Sequence, residues 1–134
     1  MQIEESCGAI VWKKEKDKIL FLILHRADEE NVWEAPKGHR ISSETEKETA
    51  IRELREELHI QNPSLDTEFR AILEYENSKG ILMRYVFFLA YAETIKLSDE
   101  HDSYKWINIQ ELPIYFKYDD IRSVYRQAAE RLSI

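Results

Sequence analysis

Cysteine, glycine and proline are scarce in this chain of 134 residues, which contains one cysteine, three glycines and three prolines. The single cysteine, Cys7, cannot form an internal disulfide, and the sequence offers no second cysteine or close histidine pair for a zinc site. Scarce cysteine predicts a reducing, cytoplasmic environment. A chain of this length buries roughly two thirds of the surface of its unfolded state, so we expect a single domain over residues 1–134 that needs no disulfide.

Long apolar runs and an excess of basic charge are also missing. The longest apolar runs, at residues 19–24 and 85–92, are far shorter than a membrane span, and the first residues are acidic where a signal peptide is basic. We therefore expect no membrane partner and no targeting segment. Acidic residues number 26 against 19 basic ones, a formal charge of -7, which argues against a general nucleic-acid binder. A polyanionic substrate remains compatible with this charge if a divalent cation mediates the contact.

Hydrophobic periodicity predicts an alternation of strands and helices. Two strands are expected at residues 7–12 and 19–24, and residues 33–36 form a short extended piece before a polar loop at residues 38–43. The second strand is apolar throughout, which favours a strand covered on both faces and hence a sheet between helices. Three more strands are predicted, at residues 68–75, 82–92 and 104–107.

Two helices are predicted from capping signals and apolar spacing. Ser43 and Glu46 have the spacing of a capping box, and no glycine or proline interrupts the predicted helix over residues 43–58. A last helix starts at Asp119 or Asp120, either of which is a candidate cap. Its apolar residues recur at helical spacing, so we expect this helix to cover one face of the sheet.

Three glutamates, Glu53, Glu56 and Glu57, lie on one arc of the first helix, beside its apolar stripe. Like charges at spacings of three and four residues repel each other, at a cost of about 0.2–0.5 kcal/mol per pair in an isolated helix. A hard divalent cation over this face would offset the repulsion, because Mg²⁺ prefers oxygen ligands. The alternative is a solvated charged face in which Arg52 pairs with Glu56, and helical spacing is compatible with both interpretations.

The loop and helix together carry the residues Gly38, Glu44, Arg52-Glu53-Leu54, Glu56-Glu57 and Ile60. They resemble the Nudix box, G-x5-E-x7-R-E-U-x-E-E-x-G-U with U a bulky aliphatic residue, at every specified position but one. The resemblance implies an α/β fold, the Nudix-type α/β/α sandwich with a mixed sheet. It also implies that the loop and helix hold a divalent metal against a diphosphate linkage, with Mg²⁺ as the expected cofactor and Mn²⁺ as its alternative.

The one departure from the box is His59, which stands where the box has glycine. A left-handed backbone after a helix usually selects glycine, and histidine is among the other residues found in that conformation. We therefore expect modest local strain and intact chemistry, so that His59→Gly leaves turnover near the wild-type value.

Carried over by position, the resemblance implies that Glu56 and Glu57 are the principal metal ligands. Glu53 is a further ligand or the base that activates water, and Arg52 would orient it through a charge-assisted hydrogen bond. The resemblance also implies that Glu44 pairs with the helix or contacts metal-bound water. Gly38 would allow a close backbone turn beside the metal site.

Two flanking segments point to a subfamily. Residues 33–39 are similar to the W-x-x-P-K-G-H of asymmetrically cleaving diadenosine tetraphosphate hydrolases, and residues 98–106 are similar to their S-x-E-H-x-x-Y-[RK]-W segment. The resemblance implies a small nucleotide as substrate, with Lys37 and His39 neutralising phosphate oxygens. Glu100 would be another metal ligand or the base. The alternative for each of these three residues is a solvated position in a surface loop.

An aromatic pocket for a base is the last implication of the resemblance. Phe87 occupies the position where the subfamily carries a ring that stacks on adenine, Tyr85 lies on the same strand face, and Tyr104 is a candidate for the same pocket. Aromatic residues at strand spacing are more often core residues, and this interpretation also stays open.

The leading functional hypothesis is metal-dependent hydrolysis of diadenosine tetraphosphate to ATP and AMP. One alternative is another nucleotide or capped-RNA pyrophosphohydrolase of the Nudix family. The other is a Nudix-fold binding module that has lost catalysis, against which the retained carboxylates Glu53, Glu56 and Glu57 argue.

Overall fold

A computed structural model describes residues 2–133 of the chain. Within this range the chain forms seven strands of one sheet, three α-helices and a short 3-10 turn. In chain order these elements are β1 (Ile3–Glu15), β2 (Lys18–Arg26), β3 (Trp33–Glu34), β4 (Lys37–His39), α1 (Glu46–Leu58), β5 (Ser64–Glu76), β6 (Leu82–Tyr91), β7 (His101–Ile107), the 3-10 turn (Ile109–Glu111), α2 (Leu112–Tyr115) and α3 (Asp119–Leu132).

The sheet is mixed and lies between helices. Its order is β3-β2-β1-β6-β5, with β4 paired to β1 and β7 paired to β2. Strands β1 and β6 run parallel, and the other strand pairs run antiparallel. Buried residues of α1 pack on one face of the sheet, and those of α2 and α3 pack on the other. The predicted α/β/α sandwich is therefore confirmed.

Strand β2 shows why the sheet needs cover on both faces. Phe21 and Ile23 pack in the core beneath α3, whereas Leu22 and Leu24 pack in the core beneath α1. All four side chains are at most 1% exposed. Burying a side chain of this size stabilises the fold by about 1.5–3 kcal/mol, so the continuous apolar run serves two cores at once.

The start of α1 lies two residues beyond the predicted cap. Thr45 is the N-cap, and its hydroxyl accepts a hydrogen bond from the amide of Glu48 at 3.1 Å while the Glu48 carboxylate accepts from the amide of Thr45 at 2.8 Å. The prediction of Ser43 and Glu46 as the capping box is wrong. The chain turns just before the helix, where the amide of Glu44 donates to the carbonyl of residue 41, so the helix cannot begin earlier.

The start of α3 also differs from the prediction. Tyr118 is the N-cap, with an extended backbone and no capping hydrogen bond from its side chain. Asp119 and Asp120 lie in the first turn instead, where their charges stabilise the positive end of the helix dipole. The short helix α2, which the sequence analysis did not predict, precedes this start. The prediction of Asp119 or Asp120 as the cap is therefore wrong.

The short strand β4 occupies part of the predicted polar loop. It pairs with β1 through Lys37 opposite Gly8, Gly38 opposite Cys7 and His39 opposite Ser6. A β-carbon on Gly8 would lie 1.9 Å from the carbonyl oxygen of the residue before Lys37, so only glycine allows this approach. Strand β4 thereby places Lys37 and Gly38 beside β1.

The helices of residues 2–133 are amphipathic or short. None of them combines the length and the apolar character needed to cross a membrane.

Candidate active site

The carboxylates of α1 differ in their exposure. Glu53 is 8% exposed and Glu57 is 4% exposed, whereas the side chain of Glu56 is 60% exposed. Glu100, which precedes β7, lines the same cavity as Glu57. Helical spacing therefore places Glu53 and Glu57 on the protected side of the helix and Glu56 at its solvent edge.

The electrostatics of the two protected carboxylates favour a cation. Burial, together with the charges of Glu53 and Glu100, raises the pKa of Glu57 to about 9. Burial also raises the pKa of Glu53, although the neighbouring Arg52 guanidinium opposes that shift. Among the described residues, Oε2 of Glu57 is buried without a hydrogen-bond partner. A positive charge beside this oxygen would relieve both the desolvation and the repulsion.

Arg52 connects the helix to the loop before it. Its Nε and Nη2 donate to the two carboxylate oxygens of Glu44 at 2.7 and 3.0 Å, and its Nη1 donates to Oε1 of Glu53 at 2.8 Å. Nη2 also donates to the carbonyl of His39 at 2.8 Å. The hydrogen bonds from Arg52 hold the pKa of Glu44 at about 2. One guanidinium therefore orients a loop carboxylate, a helix carboxylate and the end of β4.

Gly38 lies directly against the Glu53 carboxyl group. A β-carbon on Gly38 would lie 2.0 Å from Cδ of Glu53 and 2.1 Å from its Oε1. The glycine is required because the carboxylate occupies the space of a side chain, and not because of a turn conformation. Any other residue at position 38 would displace Glu53.

A network around Glu34 forms the wall opposite the helix. Lys37 Nζ donates to Oε2 of Glu34 at 2.9 Å, Arg26 Nε lies 3.6 Å from Oε1, and Nε2 of the buried His101 lies 4.0 Å from Oε2. Burial works against the charge of Glu34, yet the contacts with His101 and Lys37 outweigh it and hold the pKa at about 2. Neither Glu34 nor Arg26 was predicted, because Glu34 falls on an unspecified motif position and Arg26 belongs to no motif.

These groups line a first cavity of about 470 Å³. Its walls carry carboxylates and cations from α1, β2, β3, β4 and the segment before β7, among them Glu57, Glu100, Lys37, His39 and Arg26. The side chain of His39 is 74% exposed at its rim and lies 3.6 Å from a carboxylate oxygen of Glu4. The cavity therefore presents both acidic groups, which suit a cation, and basic groups, which suit phosphate oxygens.

A second cavity of about 660 Å³ adjoins the first and is aromatic. Glu34, Lys37 and Tyr85 line both cavities. The Lys37 ammonium lies 5.3 Å from the centroid of the Tyr85 ring, which stacks against Phe87 at 6.4 Å. Rings from β3, β5, α2 and the segment before α3 complete the second cavity, namely Trp33, Tyr75, Tyr115, Phe116 and Tyr118.

The three predicted aromatic residues occupy different environments. Tyr85 is partly exposed between the two cavities, whereas Phe87 lines the second cavity but is 2% exposed and belongs to the core beneath α3. Tyr104 is 44% exposed, pairs with Leu24 on the sheet face that α1 covers, and lines neither cavity. The structure thus brings Tyr85 and Phe87 together and leaves Tyr104 apart.

The donor set of the first cavity fits a hard divalent cation. Within residues 2–133 no three side chains of His, Cys, Asp or Glu stand close enough to form a preassembled metal site. The partnerless buried oxygen of Glu57, the adjacent Glu53 and the facing Glu100 nevertheless provide the carboxylate oxygens that Mg²⁺ and Mn²⁺ bind. Glu56 lies at the solvent edge of the same helix, where it pairs with Arg52 at 3.3 Å.

Comparison with known proteins finds relatives that match nearly the whole chain. The chain is 28% identical to the mouse asymmetrical bis(5'-nucleosyl)-tetraphosphatase, over 95% of this chain and 94% of that protein. It is also 28% identical to an RNA pyrophosphohydrolase of Pelagibacter ubique, over 99% of this chain and 96% of that protein. The crystal structure of a C. elegans Ap4A hydrolase binary complex superposes with a TM-score of 0.88 and 27% identity, covering 97% of this chain and 98% of that chain.

The family follows from a match to a family model. The sequence model of the NUDIX domain family matches residues 4–130, which include every strand from β2 to β7 and both of the long helices up to the last turn of α3. The loop and helix that carry the carboxylates lie in the middle of this match. The chain therefore belongs to the NUDIX domain family, as a Nudix hydrolase.

Proposed function

We propose that this Nudix hydrolase cleaves diadenosine tetraphosphate asymmetrically to ATP and AMP, and that residues 1–134 act as one catalytic unit. The observation that carries the proposal is the contact between the two cavities. A carboxylate-rich cavity and an aromatic cavity meet at Lys37 and Tyr85, which line both. A ligand that joins a polyphosphate chain to a flat base matches this arrangement. The similarity to asymmetrical tetraphosphatases over more than nine tenths of the chain supports the same substrate.

The proposed cofactor is Mg²⁺, held by Glu53, Glu57 and Glu100 with Glu56 at the rim. When bound, a divalent cation polarises a phosphoryl oxygen and lowers the pKa of a coordinated water. Among the carboxylates, Glu53 is the proposed proton acceptor, since Arg52 holds its Oε1 and leaves Oε2 to receive the proton of the attacking water.

Lys37 and Tyr85 are proposed to position the substrate. A lysine ammonium has three donors, and the bond to Glu34 uses one of them, which leaves two for phosphate oxygens. His39 at the cavity rim is proposed as a second donor to the phosphates. The half-buried ring of Tyr85, backed by Phe87, provides a stacking surface worth about 1–3 kcal/mol per base. Tyr104 has no part in this proposal, because it lines neither cavity.

The products of the reaction test the proposal. With Mg²⁺, diadenosine tetraphosphate should yield ATP and AMP in equal amounts, because a base held in the aromatic cavity presents one particular phosphorus to the activated water. In oxygen-18 water, mass spectrometry should find the label on AMP if attack occurs at the phosphorus that bears adenosine. Chelation of the metal should abolish cleavage, which serves as the control.

Other product patterns would contradict the proposal. Two molecules of ADP would show cleavage at the central phosphate bond, and hence a different position of the polyphosphate in the cavity. An inert diadenosine tetraphosphate beside rapid cleavage of a capped RNA would favour the second candidate, an RNA pyrophosphohydrolase, which the similarity to the Pelagibacter protein supports. An inert protein that still binds nucleotide would favour a binding module.

A further inference from the structure

The irregular segment of residues 93–100, between β6 and β7, lies across the C-terminal end of α1. The amide of Lys96 donates to the carbonyl of Leu58, and the amide of Ser98 donates to the carbonyl of Glu57, each at 3.1 Å. The last carbonyls of a helix have no partner within the helix, so the segment satisfies two of them. These backbone bonds attach the segment to the very residue that carries a buried carboxylate.

The far end of the segment is attached to the sheet. The carbonyl of Glu100 accepts a hydrogen bond from the amide of Ala27 at 3.1 Å, just after the end of β2. Glu100 therefore faces the first cavity from a stretch that is fixed at two points and has no helix or strand hydrogen bonds of its own. Such stretches open locally at a low free-energy cost, so each anchoring bond matters.

His59 adds a third hydrogen bond between the end of α1 and the segment, and this bond comes from a side chain. Its backbone is left-handed, with φ 57° and ψ 30°, and ends the helix as the glycine of the Nudix box would. Its Nδ1 lies 2.7 Å from the carbonyl oxygen of Lys96. Because a carbonyl oxygen only accepts, Nδ1 is the donor. A glycine at position 59 would keep the helix end and lose this bond.

We propose that His59 is a positioning residue whose imidazole clamps the Lys96 carbonyl and so holds Glu100 at the metal-binding carboxylates of α1. The inference rests on the proposed function, since it assigns Glu100 to the reaction centre. It assigns a role to His59, the one departure from the Nudix box. It also replaces the expectation that His59→Gly leaves turnover near the wild-type value. The clamp acts on the segment of residues 93–100, and His59 itself touches no reacting atom.

Charge repulsion explains why such a clamp is useful. The charge of Glu100 acts on Glu53 and Glu57, where it adds to the burial that raises the pKa of both helix glutamates. Like charges repel, and of these three carboxylates only Glu100 lies on a segment without regular secondary structure. The hydrogen bond from His59 opposes a displacement of that segment away from the helix.

The test compares His59→Gly with Asp17→Gly. Both residues are left-handed, with φ of 57° and 67°, so glycine relieves backbone strain at both, but Asp17 lies in the turn between β1 and β2. In His59→Gly, hydrogen exchange at the amides of Lys96 and Ser98 should accelerate about three- to tenfold. Turnover number should fall about three- to tenfold with KM within about twofold of wild type. Asp17→Gly should leave the exchange rates of these amides, the turnover number and KM unchanged.

The outcomes separate the clamp from the function. Unchanged exchange at Ser98 in His59→Gly would overturn the clamp. Faster exchange with an unchanged turnover number would overturn the positioning of Glu100, although the bond exists. A wild-type protein without nucleotide hydrolase activity would overturn the proposed function and with it the catalytic consequence, while exchange at Ser98 would still decide whether the clamp exists. Thermal melting of His59→Gly at or above the wild-type temperature excludes unfolding as the cause of lost turnover.

Discussion

Glu57→Gln is expected to lower the turnover number about 100- to 1,000-fold in Mg²⁺ while it raises the melting temperature of the metal-free protein. Glutamine keeps the shape of the side chain and removes the charge that a cation would bind. The same charge is unfavourable without metal, because the carboxylate is 4% exposed and one of its oxygens has no partner in the described part of the chain. Activity and metal-free stability should therefore change in opposite directions.

The stability gain should depend on pH with a defined sign. The pKa of Glu57 is raised from 4.5 to about 9 on folding, so the folded protein binds the proton more tightly than the unfolded chain. Its contribution to stability is fully present below pH 4.5 and is lost progressively as the pH rises toward 9. In EDTA, Glu57→Gln should melt about 3–10 °C above wild type at pH 8, and the two melting temperatures should converge at pH 4.

Glu56→Gln is the matched control, since Glu56 is the next residue on the same helix. Its side chain is 60% exposed and pairs with Arg52 at 3.3 Å, so its removal should change metal-free melting little at any pH. As a rim ligand it should still lower turnover, by about 100-fold. Equal melting of Glu57→Gln and wild type at pH 8 would contradict the buried charge. Unchanged turnover in Glu57→Gln at saturating Mg²⁺ would contradict its role as a ligand.

Phe87→Ala is expected to lower the free energy of unfolding by about 3–5 kcal/mol. Phe87 is 2% exposed in the middle of β6, within the core that lies beneath α3, so alanine would leave a cavity that the neighbouring strands cannot fill. Nearly all of the Phe87 ring is buried in this core. Tyr85 is therefore the ring that we expect to stack on a base. Urea denaturation without ligand measures the loss directly.

Tyr85→Leu provides the comparison for Phe87→Ala. Tyr85 is half buried and faces both cavities, so leucine should cost less stability than the loss of the Phe87 ring and should raise KM for the nucleotide. The affinity of either variant for Mg²⁺ should match wild type. A Phe87→Ala protein of normal stability with a strongly raised KM would show that Phe87, and not Tyr85, is the ring that stacks on the base.

The fold was predictable to the extent that single segments carry strong periodicity. The buried run of β2 and the long uninterrupted helix α1 need only local patterns, and both were located correctly within a few residues. Helix ends depend on where the chain can turn, and neither the cap at Thr45 nor the start after Tyr118 follows from composition. The three residues of β4 carry no periodic signal, because their pairing depends on a glycine far earlier in the chain, at Gly8 opposite Lys37.

The site was predictable where motif spacing and helix geometry coincide. Glu53 and Glu57 share one side of α1, as helical spacing predicts, and Arg52 contacts Glu53, as the resemblance to the Nudix box implies. The network of Glu34 with Arg26 depends instead on contacts between separate strands, which a linear pattern does not encode. The same limit applies to aromatic residues, because alternation assigns a ring to a face of a strand and leaves its depth undetermined.

The close contacts of Gly8 and Gly38 hold strand β4 tightly between β1 and the helix α1. Strand β4 is a single layer of backbone between β1 on one side and the Glu53 carboxyl group on the other, and each glycine removes a β-carbon from one of these interfaces. Glu53 belongs to α1 and Lys37 belongs to β4, so these contacts determine how closely the helix approaches the strand that carries Lys37. The two missing β-carbons thus set the gap between α1 and the strand that carries Lys37, and any side chain added at position 8 or 38 should widen it.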